Sequence, residues 1–191
     1  MMTEKPFLSS AEKVLRQIEE KSEKQFLPII GPNKGKLLVE EIRKAKPHHV
    51  LEVGTLIGYS AILMGKELDK DSEIVTIEIH RDEAEMAGEN IVEANIPAKI
   101  KIIAGDALQV IPTLKGIFDF AFIDAEKSEY FQYIKLVEDK LHKGAVVFAD
   151  NAGIFADQMR DYLDYVRNSS NYKSRYVQVG NDGVEISVKQ N

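Results

Sequence analysis

The chain has 191 residues, a net charge of −6 and an apolar fraction of 44%, which suits one domain with a single core. It contains no cysteine, so disulfides, thiolate nucleophiles and thiolate metal ligands are excluded; the acidic balance argues against a protein-wide basic platform for nucleic acid. Met1-Met2-Thr3-Glu4-Lys5-Pro6 lacks the basic-then-apolar order of a secretory leader, and no apolar run approaches the roughly 18 residues of a membrane span, so a cytoplasmic protein without a membrane partner is expected.

In chain order, Ser9-Ser10-Ala11-Glu12 reads as a capping box. Val14, Leu15 and Ile18 then give an apolar stripe, predicting a first helix to about Lys24. Phe26-Leu27-Pro28-Ile29-Ile30-Gly31-Pro32 breaks that pattern and predicts an apolar loop. A second helix is expected from about Lys34 to Ala45. The exposed apolar surface of the first helix and of the loop predicts a homodimer.

From Val50 onward strands and helices alternate. Apolar runs at Val50–Val53, Ile74–Ile79, Ile100–Ile103, Phe118–Ile123 and Ala145–Ala149 predict strands. Helical segments are expected near Ala61–Leu68, Asp82–Ala94, Leu108–Leu114 and Glu129–Leu141. This alternation means an α/β fold with a parallel sheet covered on both faces. The tail departs from it, with a helix near Phe155–Val166 and a hairpin of Arg175–Val179 and Val184–Val188. One domain is expected over 1–191, with N-terminal helices and a loop in 1–46 and a ligand-binding core in 47–191.

Ligands of such folds sit beyond the carboxyl ends of the strands, so the residues that follow each apolar run are the candidates. Leu51-Glu52-Val53-Gly54 with Gly58-Tyr59-Ser60 has the grammar of strand, tight turn and helix, where glycine admits a ligand close to the backbone. Glu52 is an acid in an apolar strand end. It needs a partner, which a cationic amino-acid group would supply. The turn Gly54-Thr55-Leu56 lacks the second glycine of a nicotinamide-binding loop. Glu78 ends the second strand twenty residues after Gly58 and suits a ribose diol, or is a solvated acid. Asp106-Ala107 follows the third, where the acid either caps the next helix or meets an adenine amino group.

Asp124-Ala125-Glu126-Lys127 and Asp150-Asn151 close the fourth and fifth runs. Taken singly, each acid reads as a helix cap. Together Asp124, Asp150 and Asn151 form an oxygen-only donor set that suits Mg²⁺ or a similar divalent cation rather than zinc. Lys127, three residues after Asp124, faces the same opening if a helix starts there. A lysine beside a bound cation can serve as general base, and a solvated surface lysine is the alternative.

These motifs resemble those of the cation-dependent, S-adenosylmethionine (SAM)-dependent O-methyltransferases, the catechol and caffeoyl-CoA O-methyltransferase group, over about Ile29–Lys189. Ile30-Gly31-Pro32-Asn33-Lys34-Gly35-Lys36 is similar to that family's loop before the second helix. Phe122-Ile123-Asp124-Ala125-Glu126-Lys127-Ser128-Glu129-Tyr130 and Asp150-Asn151 are similar to its metal-and-base motifs. The resemblance implies a seven-stranded, Rossmann-like sheet with an antiparallel last strand. It implies Mg²⁺ held by Asp124, Asp150 and Asn151, and Lys127 as base. The cofactor would be held by Glu52, Gly54, Gly58, Ser60, Glu78, Asp106, Ala107 and Asp124, with Ile30 nearby. The acceptor would be a small molecule with adjacent oxygens. A hydroxylated tRNA wobble nucleoside is the alternative acceptor, and a cofactor-binding protein without chemistry the alternative class. Where mammalian catechol enzymes carry a glutamate before the closing Asp-Gly, this chain offers Tyr176. Phe26 stands where they use a tryptophan wall, and there is little room for the plant enzymes' insertion over coenzyme A.

Overall fold

A computed structural model describes residues 8–191; Met1–Pro6, and with it the reading of the opening segment, lies outside the described residues. Helix α1 (Ser10–Lys24) starts where the capping box predicts. The Glu12 N–H donates to Ser9 Oγ (3.2 Å) and the Ser9 N–H to Glu12 Oε2 (2.8 Å). Helix α2 (Gly31–Ala45) starts three residues earlier than expected. Pro32 had been read as a breaker, but proline is tolerated in a first helical turn because no donor is needed there.

The core alternates β1 (His49–Val53), α3 (Tyr59–Gly65), β2 (Glu73–Glu78), α4 (Arg81–Ala94), β3 (Lys99–Ala104), α5 (Ala107–Val110), β4 (Phe118–Ile123), α6 (Tyr130–Val137), β5 (Leu141–Ala149), α7 (Arg160–Asn168), β6 (Tyr172–Val179) and β7 (Asp182–Lys189). The sheet runs β3-β2-β1-β4-β5-β7-β6. The first five strands are mutually parallel, and β7 lies antiparallel between β5 and β6. Strand order therefore reverses between β1 and β4, and that is where such sheets open a ligand crevice.

Several boundaries moved. The helix expected over Leu108–Leu114 is four residues of α5 and a 3₁₀ turn, because Pro112 cannot continue an α-helix. The helix expected from Phe155 begins at Arg160, after a run of turns. β5 starts at Leu141 rather than Ala145, and β3, at the sheet's edge, is partly exposed rather than covered.

Alternate residues of the strands feed two cores. Val50, Ile74, Phe120, Phe122 and Phe148 pack under α1 to α4, while Leu51, Val53, Ile77, Ile123 and Val147 pack under α5 to α7. The apolar face of α1 (Ala11, Val14, Leu15, Ile18) is buried against α3 and α4 of its own chain. The first helix therefore leaves no apolar stripe uncovered; in the loop Phe26 is 92% exposed, Pro28 is exposed, and Leu27 and Ile29 are half-buried. Among the described residues no helix is long and apolar enough to cross a membrane.

Two positions test this framework. Gly54 has φ +97, and a Cβ there would overlap the Asp124 carbonyl; Gly116 has φ +94 with open space around it. Gly116→Ala should lower unfolding free energy by about 1–2 kcal/mol through backbone strain. Gly54→Ala should cost about 1–3 kcal/mol more through the clash with backbone, read from urea midpoints.

Glu52 is fully buried on β1, opposite Thr76 on β2, and its carboxylate accepts the hydroxyls of Thr76 and Ser60 at 2.5 Å each. Burial pushes its pKa from 4.5 up to about 7, partly offset by those two hydrogen bonds and reinforced by Asp124 and Glu78. Native Glu52 keeps its proton where the unfolded chain has lost it, so stability should fall as pH rises from 4.5 to about 7. Glu52→Gln should remove that slope, changing the difference between the two ends of the window by on the order of 3 kcal/mol in chemical unfolding.

Candidate active site

Past the carboxyl ends of the strands, the ladder continues for one residue on each. The Gly54 N–H donates to Ile77 O (3.0 Å), the Gly105 N–H to Glu78 O (2.8 Å), the Asp124 N–H to Val53 O (2.9 Å) and the Asp150 N–H to Ile123 O (3.0 Å). Four chain segments leave the sheet in one row, and the side chains there turn into one cavity of about 930 Å³. Ile30, Gly54, Ser60, Glu78, Asp106, Ala107, Asp124, Lys127, Asp150 and Asn151 all line it. Glu52 and Gly58 do not. Glu52 stands behind Ser60, and Gly58 (φ +87) turns the chain into α3, where a Cβ would press on the Ala87 backbone at 3.4 Å. A smaller hollow of about 410 Å³, beside His49, Glu73, Lys101 and Lys115, gathers no candidate residue.

At one end, Glu78 is held by backbone donors. Its Oε2 accepts the Thr55 (3.1 Å) and Leu56 (2.7 Å) N–H groups and its Oε1 the His80 N–H (3.0 Å). The carboxylate is thus fixed in orientation while lining the cavity. Asp106 caps α5 through Leu108 N–H (2.8 Å), the blander of its two expected roles. Since it also lines the cavity, the second role stays compatible with the first. His80 and Glu83 bring ligand atoms within 4.8 Å of Glu78 and of each other.

At the other end, carboxylates meet ammonium groups. Lys127 Nζ donates to Asp124 Oδ1 (2.9 Å), Ala125 O (2.9 Å) and Tyr130 Oη (3.2 Å). Tyr130 is fully buried and its own hydroxyl donates to Ile123 O (3.1 Å), so it presents a lone pair to the lysine. Asp150 is 2% exposed. Burial and the neighbouring Asp124 charge push its pKa up, against the pull of Lys34. Lys34 Nζ lies 2.6 and 2.8 Å from the two Asp150 oxygens and 3.0 Å from Asp182 Oδ2. Asn151, at φ 62, donates Nδ2 to Asp182 Oδ2 (2.9 Å).

The oxygen set fits a divalent cation. Asp124 and Asp150 repel one another across the cavity, and three carboxylates face only two ammonium groups in this cluster. An added hard cation would relieve that imbalance, and carboxylate and amide oxygens are the donors it prefers.

Lys34 and Asp182 were missed as site residues. Lys34 stands within the motif before α2, but its partner is 116 residues away. Asp182 reads in sequence as a hairpin residue. Tyr176, in place of the catechol enzymes' glutamate, does not line the cavity; it lies over Gly153 and Gly183, where an added Cβ would meet its ring or hydroxyl. Phe26, Ile29, Ile154 and Phe155 add apolar side chains to a lining that also holds Lys34, Glu83, Glu126 and Glu129.

Known proteins resemble this chain in sequence and fold. A family profile described as O-methyltransferase matches residues 7–170. Catechol O-methyltransferase B of Danio rerio is 36% identical over 172 residues, 83% of this chain and 64% of that protein, so the chain spans just under two thirds of that relative. The O-methyltransferase TomG of Streptomyces achromogenes, involved in tomaymycin synthesis and solved with SAM, superposes with a TM-score of 0.86 at 26% identity, over 94% of this chain and 90% of TomG. An O-methyltransferase from Bacillus cereus, solved in complex with SAH, gives 0.83 at 26% identity over 97% and 92%. The chain belongs to the O-methyltransferase family.

Proposed function

We propose that the protein transfers a methyl group from SAM to a hydroxyl of a small acceptor with two adjacent oxygens, in the presence of Mg²⁺ or a similar divalent cation. The observation that carries this reading is one cavity with two chemically different ends. A fixed carboxylate and a glycine turn suit a nucleoside, while Asp124, Asp150 and Asn151 beside Lys127 suit a chelating oxygen pair. SAM would supply an electrophilic methyl on a sulfonium, and the cation would supply positive charge that favours an acceptor oxyanion.

The chain's own residues do the rest. Glu78 accepts hydrogen bonds from the ribose hydroxyls, since its backbone donors already hold it in place. Ser60 meets the amino-acid end of the cofactor with Glu52 behind it, so a cationic ammonium there would favour ionised Glu52. Gly54 lets that cofactor lie against the turn. Asp124, Asp150 and Asn151 would hold the cation, in preference to Glu78, His80 and Glu83, because a hard divalent ion favours an oxygen-only donor set over one that includes an imidazole. In its neutral form, with the proton now donated to Asp124 released to solvent, Lys127 would take the proton from the acceptor hydroxyl at Nζ, while Ala125 O and Tyr130 Oη keep its other two N–H groups aimed. Phe26, Ile29 and Ile154 cover the carbon skeleton and exclude water.

A hydroxylated tRNA nucleoside is less well matched, since the net charge is −6 and Glu83, Glu126 and Glu129 lie along the cavity. Scoring labelled-methyl incorporation over catechols, hydroxycinnamates, flavonoids and tRNA, with and without Mg²⁺, separates these acceptors. Saturating chelator should abolish incorporation and excess Mg²⁺ restore it; full activity with chelator would contradict the cation role. Lys127→Met should lower kcat by about 10²–10⁴-fold, the usual worth of a positioned base, with SAM affinity within a few-fold of wild type. Glu78→Gln should weaken SAM binding roughly tenfold by calorimetry, the loss of one charge-assisted hydrogen bond.

A further inference from the structure

Asp182 opens β7 after a two-residue hairpin connection, a position where an acid is ordinarily solvated. Its side chain is instead only 13% exposed. Oδ1 accepts the Gly153 (3.1 Å) and Ile154 (3.0 Å) N–H groups, and Oδ2 accepts Asn151 Nδ2 (2.9 Å) and Lys34 Nζ (3.0 Å). One carboxylate thus ties together the β6–β7 hairpin, the turn after β5 and the first turn of α2. The Ala152 N–H to Gly183 O bond (2.9 Å) clamps the same two segments through the backbone.

The consequence falls on Asn151. A carboxylate offers acceptors only, so the Asn151 amide has to present its NH₂ to Asp182 and its Oδ1 to the opposite side. Among the described residues nothing donates to Asn151 Oδ1, and Asn151 lines the cavity. The Asn151 N–H donates to Asp150 Oδ1 (2.7 Å), which joins the neighbouring donor to the same frame. A free amide could turn either end to a cation, and its NH₂ end would repel one.

We propose that Asp182 is a positioning residue for the divalent cation: it sets the Asn151 amide oxygen-first towards the cavity and holds Lys34 against Asp150. This rests on the cation dependence proposed above. Outer partners of this kind typically govern metal affinity by 10–100-fold.

The test measures Mn²⁺ binding to the full chain with SAM present, by electron paramagnetic resonance of free Mn²⁺ and by calorimetry. Asp182→Asn keeps an oxygen for the Gly153 and Ile154 N–H groups but turns a donor towards Asn151 and Lys34. It should weaken Mn²⁺ binding roughly 10–100-fold and lower Tm through the lost Lys34 pair, while leaving metal-free SAM affinity near wild type. The double exchange Asp182→Asn with Asn151→Asp restores a donor–acceptor pair with its ends reversed, and should bring Mn²⁺ affinity back to within a few-fold. Wild-type Mn²⁺ affinity in Asp182→Asn would overturn the inference and leave the cation reading standing. Joint loss of metal-free SAM affinity and Mn²⁺ affinity, unrestored by the exchange, would also overturn it, since the role would then be merely structural. A wild-type protein that takes up no Mn²⁺ beside SAM would remove both readings.

Discussion

The closeness of Gly54 to the Asp124 carbonyl is the constraint on which the site depends. β1 and β4 are hydrogen-bonded neighbours at the point where strand order reverses, and their chains leave the sheet side by side. Only a residue without Cβ fits between them, and only glycine tolerates φ +97 there. That contact brings the glycine turn, which faces the nucleoside end, within one residue's reach of Asp124, which faces the carboxylate end. A wider separation would leave two half-sites.

The second organising fact is electrostatic. Asp150 is almost wholly buried and lies within the field of Asp124, an arrangement that burial alone would disfavour. It is tolerated because Lys34 reaches both of its oxygens and Lys127 pairs with Asp124. The two lysines come from opposite sides of the site, one from α2 and one from the 3₁₀ turn after β4. The cluster is thus held together by its own lysines, yet short of positive charge by one. A fold that pre-pays for its carboxylates in this way keeps them oriented for a ligand instead of letting them collapse onto backbone donors.

Much of this was legible from residue order, because the periods of apolar runs and the acids that end them are local signals. Glu78 ends its strand, Asp124 and Asp150 directly follow theirs, Asn151 comes next and Lys127 stands four residues past β4, and all of them reach the cavity. Glu52 looked like a ligand contact because an acid in a strand needs a partner. Its partners are the hydroxyls of Ser60 and Thr76, and nothing in the order of residues distinguishes an internal hydroxyl from an external cation. Lys34 and Asp182 were illegible for a different reason. Their partners lie 116 and 31 residues away along the chain, and a lysine in a first helical turn or an aspartate in a hairpin has an ordinary local explanation. Pro32 shows the same limit at the level of elements, since a proline marks a helix start as readily as a stop.

The two ends of the cavity are built from different material, and this bears on what each can recognise. The Glu78 end is held by backbone N–H groups of the turns after β1 and β2, so its geometry follows from the sheet itself. The acceptor end is walled by side chains outside the sheet: Phe26 and Ile29 before α2, Ile154 and Phe155 before α7. Phe26 and Ile154 are 92% and 58% exposed, so they are free to change without disturbing either core. Tyr176, turned onto two glycines instead of into the cavity, leaves that wall without a carboxylate for the acceptor's second oxygen. In the reaction proposed above, selectivity among acceptors would then come from the fit of an apolar skeleton against these loops, while the oxygen pair would be recognised by the donor set at the strand ends.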